Sequence, residues 1–223
     1  MPPTATYGDI KAYQDQVEKD EIKPHGLPPC PVCEAESRFF KIHAYRERRF
    51  LIIVEMIVTS VCCALIRFKC PGCRKSFTFY PDFALPRKHY TRQTIMGFAE
   101  NYVAREHSGY EKAVAVEQEA GSWPEYPDGQ RSLAPSTVHR WVTSLCQLKQ
   151  TARTALELIH QQEPATSACR VFARLDIPRS KYRSSPRRDQ LLACQRLVVV
   201  ETFFKQLFGL SIFTRLARAL GFS

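Results

Sequence analysis

The sequence predicts an α+β fold: a small antiparallel sheet tied together by cysteines, followed by an all-helical region and C-terminal helices. Two C-x-x-C pairs stand at Cys30/Cys33 and Cys70/Cys73. The residues between them are rich in Ile, Val, Thr and Phe, which favours paired strands. From Tyr90 onward the apolar spacing becomes i, i+3, i+4, i+7, the period of an amphipathic helix.

The chain has 223 residues, of which 44% are hydrophobic, enough for a packed core. Shifts in composition divide it into a flexible N-terminal arm (1–25), a cysteine-bounded sheet (26–89), a helical region (90–163), a basic linker (164–190) and a C-terminal helical hairpin (191–223). The formal charge of +10 favours polyanionic partners. Nine cysteines at uneven spacing do not form a secreted disulfide framework. The opening Met1 to Thr6 carries no basic stretch leading into an apolar core, so a cytoplasmic location is expected. Phe50 to Ile66 imitates a membrane span. It is short for one, however, and contains Glu55, which costs ~3 kcal/mol near a bilayer centre. A hairpin is the expected reading.

Within the first half, Arg38 to Ile42 reads as a short strand. Arg49 to Val58 and Val61 to Lys69 form a hairpin that reverses near Thr59-Ser60, and Phe77 to Tyr80 forms a last strand ended by Pro81. Thr91 is placed to start a helix carrying Ile95, Phe98, Ala99, Tyr102 and Val103. Ser108 and Glu111 make a capping-box pattern that opens a second helix, ended by Gly121. The stretch 121–133 is a loop by composition. Pro135 opens a third helix with Val138, Trp141, Val142 and Leu145 on one stripe, continued through Ala152, Ala155 and Ile159. Leu191 to Phe208 is a further helix, stopped by Gly209, and Ser211 opens the last.

The paired C-x-x-C turns carry the clearest chemistry. A tetrahedral Zn²⁺ takes four thiolates, and each C-x-x-C turn aims two at one ion. Pro31, Pro71 and Gly72 suit tight turns. Cys30, Cys33, Cys70 and Cys73 are therefore the expected ligands of one structural zinc. A redox C-x-x-C would sit in a βαβ unit, which this pattern does not contain. Four thiolates leave no open position for a catalytic water, so no enzyme activity is expected. His43 reads as a strand-surface residue rather than a replacement ligand. Cys62, Cys63, Cys146, Cys169 and Cys194 read as small buried residues.

The third helix carries the second signal. With Val138, Trp141 and Val142 turned inward, Ser136, Thr137, His139, Arg140 and Ser144 project the other way. Short polar residues at a helix N-terminus reach phosphates and base edges in a major groove. Against a helix-turn-helix stands the turn before this helix, about a dozen residues instead of the usual 3–4. Arg46, Arg48, Arg87, Lys88, Arg92 and Arg131 are candidate phosphate contacts, and Arg179 to Arg188 a flexible basic arm.

These motifs carry a family resemblance. CPVC, then His43-Ala44-Tyr45-Arg46, then Arg67-Phe68-Lys69-CPGC-Arg74-Lys75-Ser76-Phe77, then Tyr80-Pro81-Asp82-Phe83-Ala84-Leu85-Pro86-Arg87-Lys88-His89-Tyr90 resembles a bacterial family of unknown function. Its members pair a zinc ribbon with a helix-turn-helix and are similar to the N-terminal DNA-recognition regions of insertion-sequence transposases. Ser136 to Trp141 looks like the recognition helix of that group. The resemblance spans about residues 28 to 146 and implies DNA binding linked to mobile elements, with the four cysteines as zinc ligands. The expectation is a non-enzymatic, nucleoid-associated protein that binds double-stranded DNA. It would partner a transposase or self-associate through its C-terminal helices, and would not bind a membrane. The alternatives are a zinc-ribbon protein-interaction adaptor and a transposase or nuclease component.

Overall fold

The computed structural model describes residues 7–27, 29–30, 32–54, 57–104, 109–114, 133–209 and 211–215. The chain forms two compact units. Of the described residues, one unit comprises those within 7–52, 60–92 and 213–215, and the other those within 53–59 and 93–212. The fold is α+β, as the sequence predicts: a small sheet carrying the cysteines, followed by helices.

The sheet has the order β1 (Lys41–Val54), β2 (Ile57–Lys69), β3 (Ser76–Thr78). β2 and β3 pair antiparallel, with Arg67 opposite Thr78, Phe68 opposite Phe77 and Lys69 opposite Ser76. Only two residues separate β1 from β2, too few for a parallel crossover. Two sequence expectations are corrected here. Thr59 and Ser60 do not form the reversal; they lie inside β2. No Asn-Gly or Gly pair marks the turn, so its position was not readable locally. The strand expected over 38–42 is instead a 3₁₀ turn, Ser37–Phe39, and β1 starts at Lys41.

The N-terminal segment is also corrected. It is not an arm but a helix, α1 (Tyr7–Glu18), which buries Ile10, Tyr13 and Val17. Three apolar residues in twelve look sparse, yet the i, i+3, i+7 spacing puts all three on one stripe. They join Phe40, Phe50, Ile52, Cys63, Leu65, Ile66, Phe68 and Phe83 in one core. The Tyr13 ring meets Phe83 edge-on at 5.6 Å. Gln14 is the polar partner, its Oε1 accepting the Ala64 N–H at 3.1 Å.

The segment Pro81 to Tyr90 is fastened to this core. Phe83, Ala84 and Leu85 are buried. Arg92 is buried too; its Nε donates to the Asp82 carbonyl and its Nη2 to Asp82 Oδ2, both at 2.6 Å. Arg48 donates to the carbonyls of Leu85 (3.2 Å) and Lys88 (2.6 Å) and lies over the rings of Phe50 and Tyr80.

The helices that follow are α2 (Arg92–Ala104), α3 (Tyr110–Val114), α4 (Pro135–Leu145), α5 (Lys149–Gln162), α6 (Ala168–Arg174), α7 (Ser185–Phe208) and α8 (Ile212–Arg215). A 3₁₀ turn, Cys146–Leu148, breaks α4 from α5. α7 is the hub, packing on α4, α5 and α6, while α3 packs on α4. Their core contains Ile95, Phe98, Val138, Trp141, Val142, Leu145, Ala155, Ile159, Leu191, Leu197 and Phe204, the apolar stripes read from the sequence. Gly209 (φ 67°) ends α7 in the left-handed conformation, its N–H donating to the Lys205 carbonyl. The buried Glu201 carboxylate accepts the Ile212 N–H at 2.9 Å, supplying an acceptor at the start of α8.

The basic linker expected over 164–190 is corrected, because α6, a 3₁₀ turn (Arg179–Lys181) and the first turn of α7 fill much of it. Its cations are used internally. Lys181 lies 4.5 Å from the Tyr102 ring centre and donates to the Tyr102 carbonyl at 2.7 Å. Arg187 donates to the Tyr110 hydroxyl, and Arg188 pairs with Asp176 at 2.5 Å.

No helix among the described residues is long and apolar enough to cross a membrane, and the apolar run 50–66 lies in the β1–β2 hairpin. Ser108, the loop with Trp123, Tyr126 and Arg131, and the segment Leu216 to Leu220 lie outside the described residues.

Candidate metal centre

The second C-x-x-C turn is the loop between β2 and β3, so the strand register places Cys70 and Cys73 directly. The first turn precedes the 3₁₀ turn at Ser37. The two turns are built alike. Cys30 N–H donates to the Ala35 carbonyl and Cys70 N–H to the Lys75 carbonyl, each at 2.9 Å and each five residues on. The residue after each second cysteine is left-handed: Glu34 at φ 58° and Arg74 at φ 60°. Non-glycine residues rarely take this conformation, which costs ~1–2 kcal/mol. Here it turns the next amides back on the sulfurs: Ala35 N–H bonds to Cys33, and Lys75 N–H to Cys73. Beneath them Phe40 meets Phe77 edge-on at 5.0 Å, joining the segments that carry the two turns.

The four Sγ atoms lie within 4.8 Å of one another. Cys30 and Cys73 are 3.6 Å apart, Cys33 and Cys70 3.5 Å. Four sulfurs ~2.3 Å from one ion would be ~3.8 Å from each other in a tetrahedron. The arrangement is therefore already close to a metal's coordination shell, and the four cysteines can hold a metal ion. Cys30 and Cys70 are buried, Cys73 is partly covered and Cys33 is exposed. At Gly72 a Cβ would stand 3.3 Å from Cys33 Sγ, so a larger residue there would press on the cluster. The Ala35 N–H and the neighbouring Cys70 thiol bring Cys33 down to about 7. At Cys73 the Lys75 N–H pulls downward, but burial and the three other thiols win and push it up to about 11. That asymmetry is what four thiols sharing protons produce; a bound dication would displace those protons. Among the described residues this is the one convergent group of three or more potential ligands, and His43, exposed on β1, is not part of it.

The residues expected on DNA scatter. On α4, Ser136, His139 and Arg140 are exposed and Thr137 and Ser144 half-buried, opposite buried Val138, Trp141, Val142 and Leu145. Arg140 rests on Thr137 Oγ1 at 3.2 Å, and Ser144 donates to the Trp141 carbonyl. His139 meets the Tyr110 ring of α3 edge-on at 5.3 Å. Arg87 is exposed, while Lys88 is half-buried and its amine is depressed by that burial. Arg92 is corrected: a buried guanidinium committed to Asp82 cannot reach a phosphate. Arg48 is likewise committed to carbonyls of the 85–88 segment. The flexible arm of 179–188 is withdrawn for the same reason. On α7, one of the C-terminal helices expected to mediate self-association, Phe204 is buried, with its ring centre 4.4 Å from that of Phe208.

The sequence reading found all four cysteines but missed the paired left-handed residues and their amide-to-sulfur bonds. Their only signal was the equal spacing from each first cysteine to Ala35 and Lys75. Residues 30–118 match a family model described as a domain of unknown function (DUF6431). No curated protein and no solved structure matches the chain.

Proposed function

We propose that this chain is a non-enzymatic DNA-binding protein in which one zinc ion, held by Cys30, Cys33, Cys70 and Cys73, stabilises the sheet unit, and α4 reads the DNA. Zinc fits the donor set: four cysteine sulfurs within 4.8 Å of one another suit a soft-tolerant ion without geometric preference. With its shell closed by sulfur, such an ion holds structure and leaves no site for substrate. The observation that carries the DNA reading is the division of α4 into a buried apolar stripe and an exposed face of Ser136, His139 and Arg140. That is the composition of a helix docked on its neighbours and offered to a groove. The charge of +10 supplies the sequence-independent attraction, and Arg87 and Arg46 remain exposed to provide it. Double-stranded DNA is the proposed partner. A transposon-associated or regulatory role within the nucleoid follows from the helix-turn-helix resemblance, with a transposase or a second copy of the chain as further partner.

The test is selection of bound duplexes from a random pool by the zinc-loaded full chain, followed by Arg140→Ala. Enrichment of a site is expected, with binding to it ~5- to 100-fold weaker in the variant, the loss of one good base contact. A pool without enrichment, or a variant with wild-type affinity, would remove α4 from the role given to it.

A further inference from the structure

β1 is fourteen residues long, but none of its first nine, Lys41 to Arg49, is buried; seven are exposed and two half-buried. Strands normally bury one face, so this stretch is not held by packing alone. It is also where large apolar side chains stand in water. Phe39 is 55% exposed, Tyr45 53% and Ile42 39%, half of the six large exposed hydrophobic side chains of the described chain, within seven residues. Isolated exposed apolar residues need no explanation; a cluster within one strand and the turn that leads into it does. Around them stand Lys41, Arg46 and Arg49, all exposed, with His43 and the single carboxylate Glu47. Arg38 lies over the Phe39 ring at 4.7 Å and pairs with Glu36 at 2.6 Å, so one cation–aromatic stack is already built at this end. β1 is an edge of the sheet, and among the described residues the backbone bonds on its outer side are those of Leu51 with His89 and Thr91.

We propose that this strand and the turn before it form a binding surface for single-stranded nucleic acid, with Tyr45 and Phe39 as stacking platforms and Lys41 and Arg49, on the same strand face as Tyr45, as phosphate contacts. Lys41 and Arg49 on either side of Tyr45, against the one carboxylate Glu47, argue for a polyanion over an apolar protein partner. Flat aromatic rings interleaved with cations argue for a single strand over a duplex, because only an unpaired base offers its face. Residues two apart on a strand stand ~7 Å from each other, a reach that splayed bases can match. The surface belongs to the sheet unit and uses none of the α4 residues. It rests on the nucleic-acid reading only in the kind of partner, and adds a place where a melted or terminal strand would be held.

The test is fluorescence anisotropy of a labelled oligothymidylate of roughly 12 nucleotides, within the span one small domain covers. The zinc-loaded full chain is compared with Tyr45→Ala, Tyr45→Phe, a Lys41→Glu/Arg49→Glu double variant and Arg153→Ala, an exposed cation of α5 outside both proposed surfaces. The wild type is expected to bind, with Tyr45→Ala weakening binding ~5- to 100-fold, Tyr45→Phe near wild type, the charge variant strongly impaired and Arg153→Ala unchanged. Unaltered metal content and circular dichroism would show the exposed-site variants to be folded. No binding of the oligonucleotide by the wild type, or equal binding by Tyr45→Ala, overturns this assignment even if duplex selection through α4 succeeds. Tyr45-dependent binding without duplex selection would uphold it and sink the α4 reading instead.

Discussion

Arg92 and Arg140 are the same residue type with opposite fates, and their neighbours decide which is which. Asp82 and a carbonyl stand at hydrogen-bond distance from Arg92, so its charge is spent holding the 82–92 segment together. Arg140 bonds to the Thr137 hydroxyl and stays exposed. The difference makes a prediction at this scale. Arg92→Ala should lower the unfolding free energy by about 2 kcal/mol, the worth of charge-assisted hydrogen bonds whose carboxylate is left behind. Arg140→Ala should change it by less than about 0.5 kcal/mol. Urea denaturation of the two variants measures both; equal midpoints would contradict the assignment. The cysteines divide in the same manner. Burial pushes Cys194 up to about 12 and keeps it an inert core thiol, whereas Cys33, exposed and met by an amide, is built as a ligand.

Among the elements, α1 tests how few apolar residues can fasten a helix. Ile10, Tyr13 and Val17 are its whole buried face, and Tyr13 reaches both Phe79 and Phe83. Tyr13→Ala should therefore cost about 3 kcal/mol, comparable to other large aromatic truncations in cores. An effect near zero in thermal or urea unfolding would mean the helix is not docked in solution. The sequence showed the helices with strong stripes, such as α4 and α7, because burial of one face leaves a period that can be counted. It hid α1 because three residues make too short a pattern to count. β1 was broken in two by reading because Ala44 to Arg48 shows no apolar alternation when neither face is buried. The 179–188 segment looked like free charge because the aromatic partners of its cations, Tyr102 and Tyr110, lie about 80 positions away in the chain. Ligand identity was legible since C-x-x-C is a local pattern. Which arginines stay exposed was not, since that depends on contacts distant in sequence.

For the molecule as a whole, the zinc assignment carries the most weight. Two turns 36 residues apart in the chain meet at four sulfurs, and the sheet, the Phe40–Phe77 contact and two left-handed residues converge on the same point. Four thiols held this close without a metal would leave their positions unexplained, while an ion at their centre contributes folding energy directly. The direct measurement is the metal content of the purified full chain by inductively coupled plasma mass spectrometry, alongside Cys30→Ser and Cys73→Ser. The account predicts about one zinc per chain in the wild type and a large loss in either variant. A wild-type chain purified with zinc present that retains no stoichiometric metal would contradict it.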